Sequence, residues 1–132
     1  MTAMIVAALS SSGCAAAGGE TATWALADPS AVSAQSDRID LLVSRLECAS
    51  GVTGETLPPV VSYSAEEVAV RVDVKANGNA AANCQGNDLV PVSVELREPL
   101  GERNLVDGAC MEGDATKTVF CEDGGVRFSG QS

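Results

Sequence analysis

The sequence has 132 residues, a formal net charge of −10 and no histidine. A chain this acidic repels phosphate backbones and lacks the clustered basic patch that nucleic-acid binding requires, so nucleic acid is excluded as a partner. Without histidine the chain lacks the commonest general base and a favoured zinc ligand. We therefore expect no enzymatic activity, no metal site and no cofactor.

The length fits one small domain with a single core. Valine and alanine must supply most of that core, because the sequence contains only four aromatic residues, Trp24, Tyr63, Phe120 and Phe128. Small side chains bury little apolar area, and burial contributes only about 25 cal/mol per Å². Such a domain needs covalent support, which its five cysteines are expected to provide.

The chain begins with a short apolar run, AMIVAAL at residues 3–9, followed by Ser-Ser-Ser-Gly-Cys. A run this short cannot span about 30 Å of hydrocarbon, but it matches the core of a signal peptide. Residues 9–14 resemble a bacterial lipoprotein box, whose cysteine carries a diacylglyceryl group and becomes the first residue of the mature chain. We therefore predict a signal peptide at residues 1–13, lipid attachment at Cys14, and an extracytoplasmic protein anchored to the cell membrane.

A second possibility for the N-terminus stays open. Ser11 stands where the box usually has leucine, and no lysine or arginine precedes the apolar run. A true start upstream of Met1 would explain the missing basic residues. The alternative is an ordinary secretory signal cut near Ala17, which would give a secreted protein.

Residues 14–36 consist largely of alanine, glycine, serine and threonine. Such a segment buries too little apolar surface to offset the entropy lost on ordering, so we predict a flexible tether. Trp24 is the exception: we expect it to dock on the domain, with the lipid interface as the alternative. The folded domain is predicted over residues 37–132.

The first predicted strand of this domain is residues 39–48, IDLLVSRLEC, and it ends in turn-forming residues. Two prolines, Pro58 and Pro59, precede the short run at residues 60–63. Proline cannot donate to a sheet ladder, so this run belongs at an edge or entry position. The clearest strand is residues 67–75, EVAVRVDVK, where valine occupies every second position.

The same alternation returns at residues 90–96, and shorter strands are predicted at residues 105–106, 118–121 and 126–128. Six or seven short strands separated by turn residues, without a long helical pattern, are typical of an all-β fold. We predict a small antiparallel β-sandwich of immunoglobulin-like character, stapled by disulfides.

Four cysteines follow the signal region, and four cysteines permit three connectivities. We prefer Cys48–Cys84 and Cys110–Cys121, because each pair encloses one unit of the strand pattern. Loop-closure entropy gives roughly 4 kcal/mol for the longer loop and about 3 kcal/mol for the shorter. A zinc site or a redox thiol is disfavoured, since no CxxC pair occurs.

Four pieces of the sequence together resemble a widespread group of small lipoproteins from actinobacteria. They are RLECASGVTGE at residues 45–55, the valine-alternating strand, CQGND at residues 84–88 and EPLGERNLVDG at residues 98–108. The resemblance implies an exported, lipid-anchored β domain that contains disulfides. It implies no reaction.

The last of these pieces predicts a corner at residues 99–101 with charged residues around it. Arg103 would grip a carboxylate or phosphate if the corner is a recognition loop. In the structural alternative, Arg103 pairs with Glu98 or Asp107 and fastens two adjacent strands.

Acidic residues crowd the second predicted disulfide, at Glu112, Asp114, Glu122 and Asp123. Carboxylates of this kind can ligate Ca²⁺, but the spacing follows no calcium-binding loop, so a solvated acidic surface is the simpler interpretation. Polar residues beside Cys84 are typical of turns rather than of a binding cluster: Asn83, Gln85 and Asn87.

Together these features predict a monomeric, membrane-anchored cell-envelope lipoprotein with a binding or structural interaction role. Its partner would be an envelope protein or a small ligand. The alternative is a surface module that binds a small ligand or cation through its acidic loops, and an enzyme is the third and least favoured class.

Overall fold

The computed structural model describes residues 19–76 and 86–130, and these residues form eight strands in two sheets. The strands are β1 (Gly19–Leu26), β2 (Arg38–Arg45), β3 (Val60–Tyr63), β4 (Glu67–Arg71), β5 (Asp73–Lys75), β6 (Val90–Glu95), β7 (Asn104–Asp107) and β8 (Val126–Phe128). Short 3₁₀ helices lie at Pro29–Ala31, Gly108–Cys110, Asp114–Lys117 and Val119–Cys121. The prediction of an all-β fold is confirmed at this level.

The first sheet has the strand order β5-β1-β2-β6 and is antiparallel throughout. The second sheet has the order β3-β4-β7-β8, and there β4 and β7 run parallel, with Val68 opposite Leu105. The prediction of a purely antiparallel arrangement is therefore wrong for this pair. After β4 the chain passes through β5 and β6 of the other sheet, and this long crossover returns β7 in the direction of β4.

The chain changes sheets at Val72, the single residue between β4 and β5. The four valines of the predicted strand at residues 67–75 are each 0% exposed: Val68, Val70, Val72 and Val74. Because side chains alternate with a period of two, all four valines stay in the core, although the backbone pairs with β3 and β7 before Val72 and with β1 after it. The alternation thus predicted burial correctly, whereas the division into two strands depends on pairing with β1 and β7.

The two sheets share one core. Its buried members come from both: Ala22, Trp24, Leu26, Ile39, Leu41, Val43, Val68, Val70, Val72, Val74, Val94, Leu96, Leu100 and Leu105. The indole Nε1 of Trp24 donates to the carbonyl oxygen of Val70 at 2.8 Å and so joins β1 to β4. Buried tryptophan needs such a partner, because an unpaired N–H in a core is costly.

The predicted tether does not extend to residue 36. Gly19–Leu26 forms β1, which lies in the interior of the first sheet between β2 and β5. The composition of this segment suggested that it could not offset the conformational entropy lost on ordering. Backbone pairing with two strands and the burial of Trp24 do offset that loss. Docking of Trp24 on the domain is confirmed, while residues 14–18 lie outside the described ranges.

One further strand prediction is wrong. Residues 118–121 contain a 3₁₀ helix, Val119–Cys121, instead of a strand. Cys121 must return to within 5.3 Å of the Cα atom of Cys110, and a strand that advances about 3.3 Å per residue would carry it away. The other predicted strands are present as β2, β3, β6, β7 and β8, and β3 lies at a sheet edge as its prolines indicated.

Candidate binding surface

The disulfide between Cys110 and Cys121 is present, and it ties down the loop at residues 110–121, called the disulfide loop below. Both cysteines are buried and pack with Ala109, Ala115 and Leu46 in a second small cluster. The loop follows β7 of the second sheet and packs through Leu46 against the end of β2, which belongs to the first sheet. This covalent closure limits how far the backbone of the loop can move.

The other predicted cysteine sites are only partly within the described residues. Cys48 is not a free thiol. Its predicted partner Cys84 and the predicted lipid site Cys14 both lie outside the described ranges, as do Asn83 and Gln85. The Cys48–Cys84 pairing and the lipid attachment therefore stay predictions.

Arg103 binds the corner from which it projects. Its Nη1 lies 2.8 Å from Oε1 of Glu98, and its Nε and Nη2 donate to the carbonyl oxygens of Leu100 and Pro99 at 2.9 and 2.8 Å. The side chain is only 17% exposed. These contacts match the fastener alternative, since all three nitrogen atoms of the guanidinium group bond to the corner itself.

Asp107 takes a different position from the one that either alternative gave it. Its side chain is 0% exposed and pairs with Arg127 rather than with Arg103. Oδ1 accepts from the backbone N–H of Ala109 at 3.0 Å, and Oδ2 accepts from the backbone N–H of Trp24 at 3.1 Å. Burial raises the pKa of Asp107, and the bonds from Ala109, Trp24 and Arg127 offset part of that rise.

Arg127 on β8 completes this cluster, and sequence analysis missed it. Its Nη2 donates to Oδ2 of Asp107 at 3.2 Å and to the carbonyl oxygen of Phe120 at 3.0 Å, while its Nε donates to the carbonyl oxygen of Trp24 at 2.7 Å. One guanidinium group thus joins β1, β7 and the disulfide loop. The only available signal was an arginine between the two apolar residues of a short predicted strand.

Two surface clefts flank the disulfide loop. The Phe120 cleft, of about 350 Å³, lies between the end of β2, residues 86–89 and the loop; its lining includes Leu46, Glu47, Asn87, Leu89 and Phe120. The Met111 cleft, of about 460 Å³, lies over β3 and β4; its lining includes Val60, Ser62, Ala69, Arg71, Met111 and Glu112. The loop therefore contributes one exposed apolar side chain to each cleft.

The disulfide loop concentrates apolar side chains at the surface. Six large hydrophobic residues are exposed among those described, and three lie in this loop: Met111, Val119 and Phe120. Across the Phe120 cleft, Leu89 is 58% exposed and Phe120 is 51% exposed. Exposed apolar residues are ordinary when scattered, but this pair on one cleft marks a candidate contact surface.

Asn87 fixes one wall of the Phe120 cleft. Its Nδ2 donates to the carbonyl oxygens of Arg45 and Glu47 at 2.9 and 2.8 Å, and its Oδ1 accepts from the backbone N–H of Gly51 at 3.2 Å. These bonds hold residues 86–89 against the turn that follows β2. Asn87 was predicted to form a turn, but residues 86–89 contain no turn, and its side chain instead bridges to the segment after β2.

Most of the positive charges of the protein contact its own acidic or aromatic side chains. Seven of the eight lysine and arginine residues contact an acidic side chain or an aromatic ring: Arg38, Arg45, Arg71, Lys75, Arg97, Arg103 and Arg127. Several exposed carboxylates have no ion pair within the described ranges, among them Glu47, Glu112, Asp114 and Glu122. The outward-facing charge is consequently negative.

The acidic residues near the disulfide loop do not gather into a cation site. In residues 19–76 and 86–130, no group of three or more acidic or cysteine side chains is placed to hold a metal ion. Asp123 instead accepts from the backbone N–H of Gly125 at 3.1 Å and lies 3.8 Å from Nη1 of Arg127. The calcium alternative gains no support from this geometry.

Comparisons with known proteins return no match for this chain. No protein-family model matches it, and neither a curated protein nor a solved structure does. Within the described residues, no helix is long and apolar enough to cross a membrane. The resemblance to actinobacterial lipoproteins stays a prediction.

Proposed function

We propose that this chain is an extracytoplasmic, lipid-anchored domain that binds a protein of the cell envelope and catalyses no reaction. The observation that carries the proposal is the Phe120 cleft, where Leu89 and Phe120 remain exposed although the walls beneath them are fixed. A preformed apolar cleft lowers the entropic cost of binding, because little has to be ordered when the partner arrives.

The titratable groups also favour binding over catalysis. Asp107 is the buried carboxyl group whose pKa is raised, but it lines neither the Phe120 cleft nor the Met111 cleft. Its oxygens accept bonds from Trp24, Ala109 and Arg127, so its contacts are those of a structural carboxylate. A general acid or base needs access to a substrate atom, which this position does not offer.

The position of β1 sets how far the domain would stand from a membrane. If Cys14 carries the lipid, only five residue steps separate it from Gly19, the first residue of β1. Even a fully extended chain reaches at most about 3.6 Å per residue, or roughly 18 Å in all. The proposed lipoprotein is therefore held close to the bilayer surface, and its partner must be reachable there.

Mass spectrometry of membrane fractions from an actinobacterial host tests the anchor. We expect a mature chain that begins at an acylated Cys14, and we expect Cys14→Ser to abolish both the acylation and the cleavage before residue 14. Recovery of an unmodified chain that begins after Ala17 would contradict the anchor. Photo-crosslinking in the same cells from position 89, compared with position 60 in the other cleft, tests whether a defined envelope protein lies at the Phe120 cleft.

A second candidate function is the binding of a small ligand in the Met111 cleft. Its volume of about 460 Å³ falls in the range of small-molecule sites, and Glu112 of the disulfide loop lines it. Calorimetric titration separates a cation from the proposed protein partner. Absence of heat and of any shift in Tm at millimolar Ca²⁺ would remove the cation from consideration.

A further inference from the structure

We propose that the Phe120 cleft binds a protein segment in which lysine or arginine lies beside a leucine-sized apolar side chain. This inference rests on the proposed binding function and names the surface and the chemistry of the partner. Three independent features of the cleft support it: its apolar walls, its rigidity and the charge around it.

The apolar walls define what enters the cleft. Leu89 and Phe120 face the same cleft of about 350 Å³, a volume suited to one or two side chains of a partner rather than to a folded element. Buried apolar anchors of this kind carry most of the energy of a protein interface, while the surrounding contacts exclude water. A leucine-sized side chain is therefore the expected anchor.

The rigidity of the cleft comes from polar contacts behind each wall. Asn87 holds residues 86–89 through its bonds to Arg45, Glu47 and Gly51. On the opposite wall, Arg127 donates to the carbonyl oxygen of Phe120, and the disulfide closes at the next residue. Both walls are thus positioned before any partner binds, which favours a specific contact.

The charge around the cleft selects a cationic partner. Glu47 lines the cleft and Glu122 follows the loop; both are exposed and neither has an ion pair in the described part of the chain. Arg45 also lines the cleft, but its guanidinium group bonds to Glu20 and to the carbonyl oxygens of Thr53 and Lys75. Complementary charge raises the association rate and suppresses wrong partners, so a basic segment is favoured.

The charge of the cleft argues against two occupants that its position would otherwise allow. The cleft lies at the end of β2 beside the start of β1, where the backbone N–H of Leu46 donates to the carbonyl oxygen of Thr21 at 3.0 Å. An N-terminal lipid would hold this end nearest the bilayer. Anionic headgroups and a second copy of this chain would both place negative charge against Glu47, which opposes each of them.

A nuclear magnetic resonance titration tests the proposal on the ¹⁵N-labelled full chain carrying Cys14→Ser. The probe is a blocked hexapeptide of alternating lysine and leucine. We expect shifts at the amides of Glu47, Leu89 and Phe120, and affinity that falls as NaCl rises from about 0.05 M to about 0.5 M. The control hexapeptides, alternating lysine–serine and glutamate–leucine, should bind at least about tenfold more weakly, because each lacks one of the two features.

Matched variants locate the contact. Leu89→Ser with Phe120→Ser should lower the affinity for the lysine–leucine peptide at least about tenfold. Val60→Ser with Met111→Ser likewise replaces two exposed apolar residues by serine, but in the other cleft, and should leave the affinity unchanged. Glu47→Gln with Glu122→Gln should weaken binding and flatten its salt dependence. All of these positions are exposed, and an unchanged Tm confirms that each variant is folded.

Three results of the peptide titration would overturn the proposal: no shifts at millimolar peptide, shifts that cluster at the Met111 cleft, or equal binding of the glutamate–leucine peptide. Binding of phosphatidylglycerol vesicles through Phe120 would show instead that the occupant is lipid. Self-association that is lost in the Phe120 variant would show that the occupant is a second copy of the chain. If the peptide fails while photo-crosslinking still captures an envelope protein from another position, the binding function survives and the cleft assignment falls. If the peptide binds as expected but Cys14 is not acylated, only the anchor is wrong.

Discussion

The carboxylate of Asp107 accepts a hydrogen bond from the backbone N–H of Trp24 at 3.1 Å, although 83 positions separate the two residues in the sequence. Asp107 ends β7 in the second sheet, and Trp24 lies in β1 of the first. Arg127 bonds to both residues and to Phe120 of the disulfide loop. This buried contact joins the two sheets to the loop that forms the candidate binding surface.

Replacement of Arg127 should therefore lower the free energy of unfolding. Arg127→Met leaves the buried carboxylate of Asp107 without its ion pair, and we expect a loss of roughly 3–5 kcal/mol in the free energy of unfolding. Asp107→Asn with Arg127→Met should cost less than Arg127→Met alone, because no unpaired charge remains. Urea titrations of Arg127→Met, Asp107→Asn and the double variant measure this cycle, and Arg38→Gln at an exposed ion pair is the control. A double variant that is less stable than Arg127→Met would contradict the argument.

The stability that Asp107 contributes should depend on pH in a defined direction. Burial raises the pKa of Asp107, so the folded protein retains a proton that the unfolded chain has already released. This stability is fully present below the unfolded pKa and is lost as pH rises through the folded pKa. The difference in Tm between the natural chain and Asp107→Asn should thus become less favourable to the natural chain as pH rises from about 3 to about 7.

Asp40 is a control for the pH experiment, because its pKa is shifted in the opposite direction to that of Asp107. The hydrogen bond from Ser93, followed by the charge of Arg38, lowers the pKa of this exposed carboxyl group. Its contribution is present above the unfolded pKa and is lost as pH falls through the folded one. The corresponding difference for Asp40→Asn should therefore favour the natural chain more as pH rises. Slopes of the same sign for the two variants would refute the assignment of burial as the dominant cause at Asp107.

Loss of the Cys110–Cys121 disulfide should affect stability and binding together. Cys110→Ser with Cys121→Ser removes a closure worth about 3 kcal/mol for a loop of this length. It also frees Phe120, so affinity for the lysine–leucine peptide should fall even at temperatures where the variant remains folded. Thermal unfolding and the peptide titration are measured on the same sample. Retained affinity in a destabilised variant would show that the loop need not be preformed.

Substitution of Gly124 and of Gly125 by alanine should show how much of the cost comes from a steric clash and how much from the backbone conformation. Gly124 and Gly125 both have positive φ, so alanine at either position carries the cost of a left-handed backbone, about 1–2 kcal/mol. A Cβ atom at Gly125 would lie 2.5 Å from Cβ of Cys110, whereas one at Gly124 would have no neighbour within 4 Å. We expect Gly125→Ala to be clearly less stable than Gly124→Ala in urea titrations. Equal losses would mean that the disulfide loop can move away from β8 without penalty.

Substitution of Arg103 tests whether the corner at residues 98–103 is a structural fastener or a recognition loop. Arg103→Gln removes the contact with Glu98 and the bonds to Pro99 and Leu100, and we expect a loss of about 1–2 kcal/mol in the free energy of unfolding. Peptide affinity at the Phe120 cleft should not change, because the corner does not line that cleft. A large loss of partner binding without a loss of stability would restore the recognition alternative.

The sequence alone determined the properties that depend on neighbouring residues. Alternating valines identified core positions at residues 67–75, prolines placed residues 60–63 at a sheet edge, and spacing suggested the Cys110–Cys121 pair. Each of these signals is local, since it follows from a side-chain period of two, a missing N–H donor or a short loop to close. The net charge of −10 likewise needs no fold to be known.

Only the tertiary structure decided which distant segments meet. Composition made residues 19–26 resemble a tether, yet this segment is an interior strand because β2 and β5 pair with both of its edges. The parallel pairing of β4 with β7 follows from a crossover through the other sheet, which no local pattern records. Asp107 was one of two expected partners of Arg103, the other being Glu98, but Arg127 reaches it from β8 while also binding Trp24, 103 positions away in sequence. Such contacts depend on where the packed sheets bring backbone and charge together, so the candidate binding surface became visible only once they were in place.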